Sequence, residues 1–411
     1  MAAMSSSATA PDAEPSPGGF DAQPDLDAQR AWFKSTGIHV PYFNVHEGVA
    51  GAHTQIGNRD LINFASYNYA GLCGDADVAA AAKAAIDRYG TSVSASRIVS
   101  GERPIHRELE QALAGFLGTA DALTFVSGHG TNVTAIGELV GRDDLVVHDA
   151  YIHNSAQLGC RLSGARRMSF PHNDPAALDR LLRRHRAQYR RALVLLEGVY
   201  SMDGDIPDLP AILEIKRRYE AKVMIDEAHS TGVLGATGRG LAEHFGLAPG
   251  EVDLWMGTLS KVFASCGGYL AGPSALIERL RFFTPGVMFS VGLPPPAAAA
   301  ALAALRKLAA EPGRVTRLRE RAELFRMLAR QRGWNIGPSA GSAVVPLILG
   351  DSDRTLRLAD GLYRAGINVP PIVFPAIRQD QARLRFFFCA DHGEDDIRHT
   401  VDVIAGLWPT L

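Results

Sequence analysis

The sequence is poor in cysteine, and its four cysteines lie far apart, at Cys73, Cys160, Cys266 and Cys389. Because no two of them form a CxxC pair, zinc-finger and thioredoxin-like sites find no support. Widely spaced free thiols are typical of proteins in a reducing compartment, so we expect a cytoplasmic location.

Long apolar runs and an excess of one charge are also absent. No stretch approaches the ~18 apolar residues that a membrane-spanning helix needs. The 411 residues include 42 lysines and arginines against 44 aspartates and glutamates, which gives a net charge of −2. This balance offers no electrostatic argument for binding nucleic acid or acidic membranes. The arginine-rich stretch at residues 183–191 is interpreted as a solvated helix face.

The first 25 residues have neither the basic start nor the apolar middle of a signal peptide. Their content of alanine, serine, proline and aspartate predicts a disordered tail. Residues 26–60 are then expected to form an N-terminal arm, with a short helix that ends at Gly37.

Short apolar runs alternate with amphipathic segments through the middle of the chain. Such alternation is typical of an α/β fold with a mostly parallel sheet and helices on both sides. We expect a large domain over residues 61–295 and a smaller α+β domain over residues 296–411, which begins with a linking helix. Five runs are predicted to be strands buried on both faces: residues 122–126, 144–148, 192–198, 222–227 and 253–257.

An acid and an amine follow neighbouring strands of this predicted sheet. Asp226 ends KVMID, and Lys261 follows the next strand in GTLSK. Ligands of parallel sheets bind outside the carboxyl ends of the strands, so both side chains are expected to face one ligand. A desolvated lysine is a usable nucleophile, and a carboxylate can hold a proton on a ring nitrogen. The pair predicts a site for a pyridine aldehyde, although Asp226 alone could be an N-cap for the following turn.

Two histidines at strand ends are expected to join this site. His229 follows Asp226 by three residues and could reach the phenolic oxygen of the pyridine ring. His153 could stack on the face of the ring. His148 is an alternative to His153, but its place within a strand end is more typical of packing.

The run FVSGHGTN places Gly128 and Gly130 between a strand and a helix. Backbone N–H groups at a helix N-terminus bind phosphate well. Because residue 133 is valine, the run is not the GxGxxG fingerprint of a nicotinamide dehydrogenase. A single phosphate group is the better fit, and Thr258 and Ser260 beside Lys261 can donate hydrogen bonds to it.

Two charged motifs allow more than one interpretation. In ARLRFFFCADH, Arg385 could bind a carboxylate through two hydrogen bonds, and Arg383, on the same face of the strand, is an alternative. In EGVYSMDGDIPDL, Asp203 and Asp205 lack the further oxygen ligands of a calcium loop. We interpret them as turn residues and expect no metal.

Together these motifs resemble the α-oxoamine synthases, a fold-type I family of pyridoxal 5'-phosphate (PLP) enzymes that includes aminooxononanoate synthase, aminolevulinate synthase, glycine C-acetyltransferase and serine palmitoyltransferase. SYNYAGL and EGVYSM are more similar to serine palmitoyltransferases. IHNS, SGHGTN and SKVFASCGGY are more similar to α-oxoamine synthase domains attached to polyketide-type synthases. The resemblance runs from about Asn63 to His392 and rests on NFASYNYAGL, ASRIVSG, EGVYSMDGDIPDL, MIDEAHSTGVLGATGRG, GTLSK with ASCGGY, FSVGLPP and ARLRFFFCADH.

The resemblance implies how the residues would hold the cofactor ring. Lys261 would form the covalent link to PLP, and Asp226 would pair with the ring nitrogen. His153 would stack on the ring, while Ser201 and His229 would flank its phenolic oxygen.

The resemblance also implies a phosphate site that two subunits share. Gly128, His129 and Thr258 would hold the phosphate of PLP. Ser290, in FSVGLPP, would reach the phosphate of the neighbouring subunit, which implies a homodimer with shared active sites.

On the substrate side, the resemblance assigns the amino-acid carboxylate to Arg385 and places Tyr67 and Asn68 nearby. The chain departs from the family at three positions. His129 stands where members often have an aromatic residue, Tyr67 where many have asparagine, and Asp391 where alanine is more usual. The first two positions leave the identity of the amino acid open.

The reaction implied is a decarboxylative Claisen-type condensation of an amino acid with an acyl thioester of coenzyme A or a carrier protein. Its products are an α-amino ketone, CO₂ and a free thiol. An aminotransferase or amino-acid lyase on the same fold is an alternative. A non-catalytic subunit is another, against which the presence of Lys261, Asp226 and His229 argues.

Overall fold

A computed structural model describes residues 24–411. The predicted disordered tail, residues 1–25, lies outside the described residues except for its last two. The described chain divides into one unit that ends at Tyr42 and a second, Phe43–Leu411. In the first unit, the predicted helix forms over Pro24–Thr36 and ends where Gly37 adopts a φ of +67°.

The helices and strands are numbered here in chain order. The strands are β1 (His46–Glu47), β2 (His53–Ile56), β3 (Arg59–Asn63), β4 (Asp121–Phe125), β5 (Leu145–Asp149), β6 (Arg166–Phe170), β7 (Ala192–Glu197), β8 (Lys222–Asp226), β9 (Leu254–Thr258), β10 (Gly268–Gly272), β11 (Val344–Ile348), β12 (Ile367–Asn368), β13 (Pro371–Ile372) and β14 (Arg383–Phe387). The helices are α1 (Pro24–Thr36), α2 (Ala76–Tyr89), α3 (Pro104–Leu117), α4 (Gly128–Leu139), α5 (Asn154–Leu162), α6 (Pro175–His185), α7 (Leu209–Arg218), α8 (Leu241–Phe245), α9 (Ser274–Phe283), α10 (Pro285–Met288), α11 (Pro295–Ala310), α12 (Gly313–Gln331), α13 (Ser352–Arg364) and α14 (Glu394–Leu407).

A seven-stranded sheet in the order β4-β10-β9-β8-β7-β5-β6 forms the centre of the second unit. Strands β9, β8, β7, β5 and β6 pair in parallel, and β10 runs antiparallel to both β4 and β9. The predicted mostly parallel sheet is therefore confirmed. Two of its strands, β6 and β10, were not predicted, because β6 is largely polar and exposed and β10, with the sequence GYLAG, contains two glycines, which are depleted in strands.

Apolar residues on both faces of this sheet explain why helices cover it on both sides. Neighbouring residues along a strand point to opposite faces, so Val146 and Val147 of β5 enter different clusters of the core. One cluster also contains apolar residues of α4, α5 and α9, and the other contains residues of α3, α6, α7 and α11. A sheet buried in this way leaves the strand ends as the place where polar side chains can meet a ligand.

The C-terminal part of the chain contains a three-stranded antiparallel sheet, β11-β14-β13, with α12, α13 and α14. The predicted linking helix is α11, which packs against α2 and α3. Strand β12 pairs in parallel with β3 and so joins a four-stranded sheet of N-terminal strands. The proposed division into domains at residue 296 stays a prediction. Between residues 24 and 411, no helix combines the length and the apolar character needed to cross a bilayer.

Candidate active site

A cavity of about 590 Å³ opens at the carboxyl ends of the parallel strands. Its walls come from the segments that follow β4, β5, β8 and β9, together with the end of β7. Seven of the residues predicted to bind the cofactor line it: Gly128, His129, His153, Asp226, His229, Thr258 and Lys261.

Lys261 presents its amine at the centre of this cavity. Its Nζ lies 3.0 Å from Nε2 of His229 and 5.5 Å from the centre of the Tyr67 ring. Desolvation lowers the pKa of Lys261 to about 8, although the nearby carboxyl groups of Asp226 and Glu197 oppose the shift. An amine with this pKa is available as a nucleophile near neutral pH, as the sequence predicts.

Asp226 is the last residue of β8, and it is buried. Its Oδ2 accepts a hydrogen bond of 2.7 Å from Nδ2 of Asn132, and its Oδ1 accepts one of 2.9 Å from the N–H of Ala228. The turn interpretation of Asp226 and the functional one are therefore compatible, because each oxygen makes one bond and a carboxylate offers further lone pairs.

His229 connects Lys261 to a buried tyrosine. Its Nδ1 lies 2.6 Å from the hydroxyl of Tyr69, and burial holds the pKa of His229 well below its usual value. An ammonium group can only donate, so while Lys261 is protonated, Nε2 of His229 accepts and its Nδ1–H donates to Tyr69. The ring stays neutral and cannot compete with Lys261 for the positive charge.

His153 begins α5 and is exposed to the cavity. Its Nδ1 lies 2.7 Å from Oγ of Ser155, and its ring centre lies 6.5 Å from that of His129, which is also exposed. Desolvation lowers the pKa of His153. The alternative, His148, is buried away from the cavity, and its Nδ1 bonds to the backbone oxygen of Asp149, in agreement with the packing interpretation.

The start of α4 has the shape of a phosphate site. The helix begins at Gly128, and Ser127 caps it by accepting from the N–H of Gly130. A Cβ at Gly128 would lie only 2.8 Å from Oγ1 of Thr258, so only glycine fits. The first N–H groups of a helix have no partner within the helix and are free to bind an anion.

Arg385 and Arg383, which the sequence leaves as alternatives, have different surroundings. Arg383 is buried and forms an ion pair with Asp203. Arg385 donates to the backbone oxygen of Ser201 at 3.1 Å, and its Nε has no hydrogen-bond partner among residues 24–411. No carboxylate in this part of the chain pairs with Arg385, so its guanidinium is available to one from outside.

Ser201 and Ser290 do not line the cavity. Ser201 is half-buried, and its N–H donates to Oε2 of Glu197 at 3.3 Å. Ser290 is half-buried in the bend after α10. The predicted contact of Ser201 with the ring and of Ser290 with a neighbouring subunit stay predictions.

Tyr67 and Asn68 line a second cavity of about 910 Å³, which shares Ser260 with the first. Tyr67 is exposed, and its ring meets those of His229 and Phe387 edge-on. The amide of Asn68 bonds to backbone groups of the loop, donating to the oxygen of Ala50 at 2.8 Å and accepting from the N–H of Leu72 at 2.8 Å. These bonds give Asn68 a structural role, whereas the Tyr67 ring faces Lys261.

The acidic turn after β7 is neutralised by cations of the protein. Side-chain ligand atoms of His172, Asp203 and Asp205 lie within 4.8 Å of one another. His172, however, bridges Asp149 and Asp205 at 2.9 Å on both sides, and these carboxylates raise its pKa to about 10 despite burial. Arg383 pairs with Asp203, so each of the two acids of the turn already has a cationic partner from the protein, which supports the turn interpretation.

Three residues of the site were missed from the sequence. Asn132 and Ser155 line the cavity but lie within α4 and α5 and not at the end of a strand. Glu197, also in the cavity wall, is paired in register with Asp226, and burial raises its pKa well above the usual value. A signal was present for Glu197, since it ends its strand just as Asp226 does.

A helix-covered, mostly parallel sheet with a lysine and an acid at its strand ends is the arrangement of fold-type I PLP enzymes. The sequence matches the family Aminotransferase class I and II over residues 59–404. It is 40% identical to the 8-amino-7-oxononanoate synthase of Geobacter sulfurreducens over 366 residues, which cover 89% of this chain and 93% of that protein.

Solved structures of serine palmitoyltransferase are similar along nearly the whole chain. The Sphingomonas wittichii enzyme superposes with a TM-score of 0.90 at 32% identity and covers 94% of this chain and 97% of that one. A serine palmitoyltransferase with the PLP internal aldimine gives the same values, 0.90, 32%, 94% and 97%.

The chain therefore belongs to the α-oxoamine synthase family. It is a C-acyltransferase whose cofactor is PLP, and its class of reaction is the decarboxylative condensation of an amino acid with an acyl thioester. The glycine-lined helix start and the buried carboxylate opposite a desolvated amine fit the phosphate, ring nitrogen and aldehyde of this cofactor.

Proposed function

We propose that the cavity at the strand ends is the active site for this condensation and that Lys261 carries the chemistry. The observation that supports it most directly is the placement of a desolvated amine, a buried carboxylate and a neutral histidine around one space. When bound, PLP supplies an aldehyde for the amine and a ring that withdraws electrons from the amino-acid Cα.

Asp226 holds a proton on the ring nitrogen in this proposal. Both of its oxygens are already oriented by donors, from Asn132 and from the backbone of Ala228. A carboxylate fixed in this way stabilises a positive charge opposite it without having to reorganise. His153 covers the ring, and the N–H groups at the start of α4, with Thr258 and His129 beside them, hold the phosphate.

Lys261 has two tasks, attachment of the cofactor and removal of a proton from Cα. A general base works best when its pKa is close to the working pH, and the pKa of about 8 satisfies this condition. His229 remains neutral beside Lys261. In this proposal, His229 and Ser201 flank the phenolic oxygen of the PLP ring.

The overall reaction exchanges one carbon–carbon bond for another. The Cα of the amino acid bonds to the acyl carbon while the C–S bond of the thioester breaks and the thiol takes a proton. The bond from Cα to the carboxylate then breaks, CO₂ leaves, and a proton returns to Cα.

Turnover of the purified full-length chain with PLP tests this function. We expect thiol and CO₂ to be released in equal amounts only when an amino acid and an acyl thioester are both present. Ellman's reagent reports the thiol, and a carboxyl-labelled amino acid reports the CO₂. Lys261→Ala should abolish both, with Lys216→Ala as a control on a lysine outside the cavity. Formation of a keto acid without any thioester would favour the aminotransferase alternative instead.

We also propose that Arg385 binds the carboxylate of the amino acid. Its guanidinium is half-buried, lies 4.6 Å from the Phe387 ring centre and has an unpartnered Nε among the described residues. Desolvation lowers its pKa, and a bound carboxylate would compensate for that lost hydration.

The two arginines of β14 provide a matched pair of variants. Arg385→Lys removes the bidentate geometry and should raise the KM for the amino acid by about 10-fold or more, with the KM for the thioester unchanged. Arg383→Lys weakens the ion pair with Asp203 and should lower the unfolding temperature while leaving both KM values in place. If the KM for the amino acid rose in Arg383→Lys and not in Arg385→Lys, the carboxylate would be bound by Arg383, and the proposal for Arg385 would be wrong.

We further propose that two copies of the chain form the dimer with shared sites. Exposed apolar side chains flank Ser290 in the sequence. Others follow Ser96, which forms a β-bridge with Val291. Exposed apolar surface of this kind marks an association site. The four side chains, 47% to 86% exposed, are Ile98, Val99, Phe289 and Val291.

A charge placed in this patch tests the dimer. Phe289→Asp should convert the dimer to monomers in sedimentation and, because Ser290 would no longer reach its neighbour, weaken PLP binding. Met327→Asp, an exposed position on α12, serves as the control and should leave both properties unchanged. A wild-type chain that sediments as a monomer when saturated with PLP would contradict the proposal.

We propose that the acyl donor is acyl-coenzyme A or an acyl carrier protein, and the thiol assay distinguishes them when each is supplied in turn. Four free cysteines, two of them exposed, support a reducing cytoplasm as the site of action.

A further inference from the structure

A chain of hydrogen bonds links Asp226, beneath the cavity, to His153 on its wall. Nδ2 of Asn132 lies 2.7 Å from Oδ2 of Asp226 and 3.0 Å from Oγ of Ser155. Oγ of Ser155 in turn lies 2.7 Å from Nδ1 of His153. One side chain, Asn132, therefore stands between the two residues proposed to face the ring nitrogen and the ring.

The direction of each bond follows from which groups can donate. A carboxylate only accepts, so one N–H of Asn132 points to Asp226 and the other to Ser155. Since Oγ of Ser155 accepts from Asn132, its O–H is free to donate to Nδ1 of His153. The N–H of Ser155 also points to this atom, at 3.3 Å. Two donors on Nδ1 leave no room for a proton there, so His153 is neutral and protonated on Nε2.

The amide of Asn132 has only one orientation that fits. It is 1% exposed, and its Oδ1 has no hydrogen-bond partner among residues 24–411. Turning the amide over would place Oδ1 against the Asp226 carboxylate, and the two oxygens would repel each other. The fold keeps one buried acceptor unpaired and uses both N–H groups, which points to selection for the two donations.

We propose that Asn132 is a positioning residue that aims the Asp226 carboxylate at the ring nitrogen of PLP and, through Ser155, holds His153 in its neutral form. The inference rests on the proposed function, because it requires Asp226 to face the ring nitrogen. Asn132 touches neither substrate nor cofactor in this role and acts only through its two neighbours.

The test compares how tightly the full-length apo-enzyme binds PLP and 1-deaza-PLP, which has C–H in place of the ring nitrogen. Wild type should prefer PLP by about 10- to 100-fold, the range expected for one charge-assisted hydrogen bond. Asn132→Leu should bring the preference below about 3-fold by the same reasoning, since an Asp226 held only by the N–H of Ala228 is aimed less well and gains less from the ring N–H. Ser155→Ala keeps the bond from Asn132 to Asp226 and should retain the wild-type preference.

Asn132→Asp provides a second variant of nearly the same shape if the leucine variant fails to fold. Two adjacent carboxylates share a proton, so this variant should also lose the preference. Unfolding temperatures of the apo-proteins check that each variant is folded.

The outcomes separate the inference from the function on which it rests. If wild type binds PLP and 1-deaza-PLP equally well, Asp226 does not face the ring nitrogen, and the proposed function fails at that residue. If wild type discriminates and the folded Asn132 variants discriminate as strongly, the positioning role is overturned. If those variants bind PLP and 1-deaza-PLP more weakly by the same factor, the preference is kept. That result would also overturn the positioning role, because it is expected of a residue that is purely structural.

Discussion

The site depends on the free-energy cost of burying the charged form of the Lys261 amine away from water. Burial lowers the pKa of Lys261 to about 8, and the carboxyl groups of Asp226 and Glu197 prevent a larger shift. Glu197 is itself pushed towards its neutral form by burial and by Asp226. Asp226 is therefore the group that balances the amine, while desolvation lowers the pKa values of His153 and His229 beside it. This balance makes the amine reactive near neutral pH without leaving an uncompensated charge in the cavity.

The fold produces this balance by burying both faces of the central sheet. Strands with apolar residues on both sides leave no place for an acid or an amine except at their ends. Glu197, Asp226 and Thr258 end β7, β8 and β9, and Lys261 follows three residues after Thr258. Their proximity is thus a consequence of parallel register, and α4 adds its N-terminus at the same edge.

Much of this arrangement could be predicted from the sequence. The parts that could not be predicted were missed for physical reasons. Lys261, Asp226 and His229 could be predicted because each lies at or shortly after the end of an apolar run that predicts a buried strand. Strand β10 was missed because its sequence, GYLAG, begins and ends with glycine, a residue that is depleted in strands. Asn132 was missed because its importance comes from Asp226, 94 residues away. The choice between Arg383 and Arg385 needed the position of Asp203, which only the folded chain supplies.

The most direct measurement is the site and pH dependence of covalent trapping. Apo-enzyme is mixed with PLP at a series of pH values, reduced briefly with borohydride, digested and analysed by mass spectrometry. The account predicts a single phosphopyridoxyl adduct, on Lys261, whose yield at short times rises with pH through about 8 and then levels off. An adduct on other lysines only, or a yield that keeps rising to the ordinary lysine pKa of about 10.4, would contradict it.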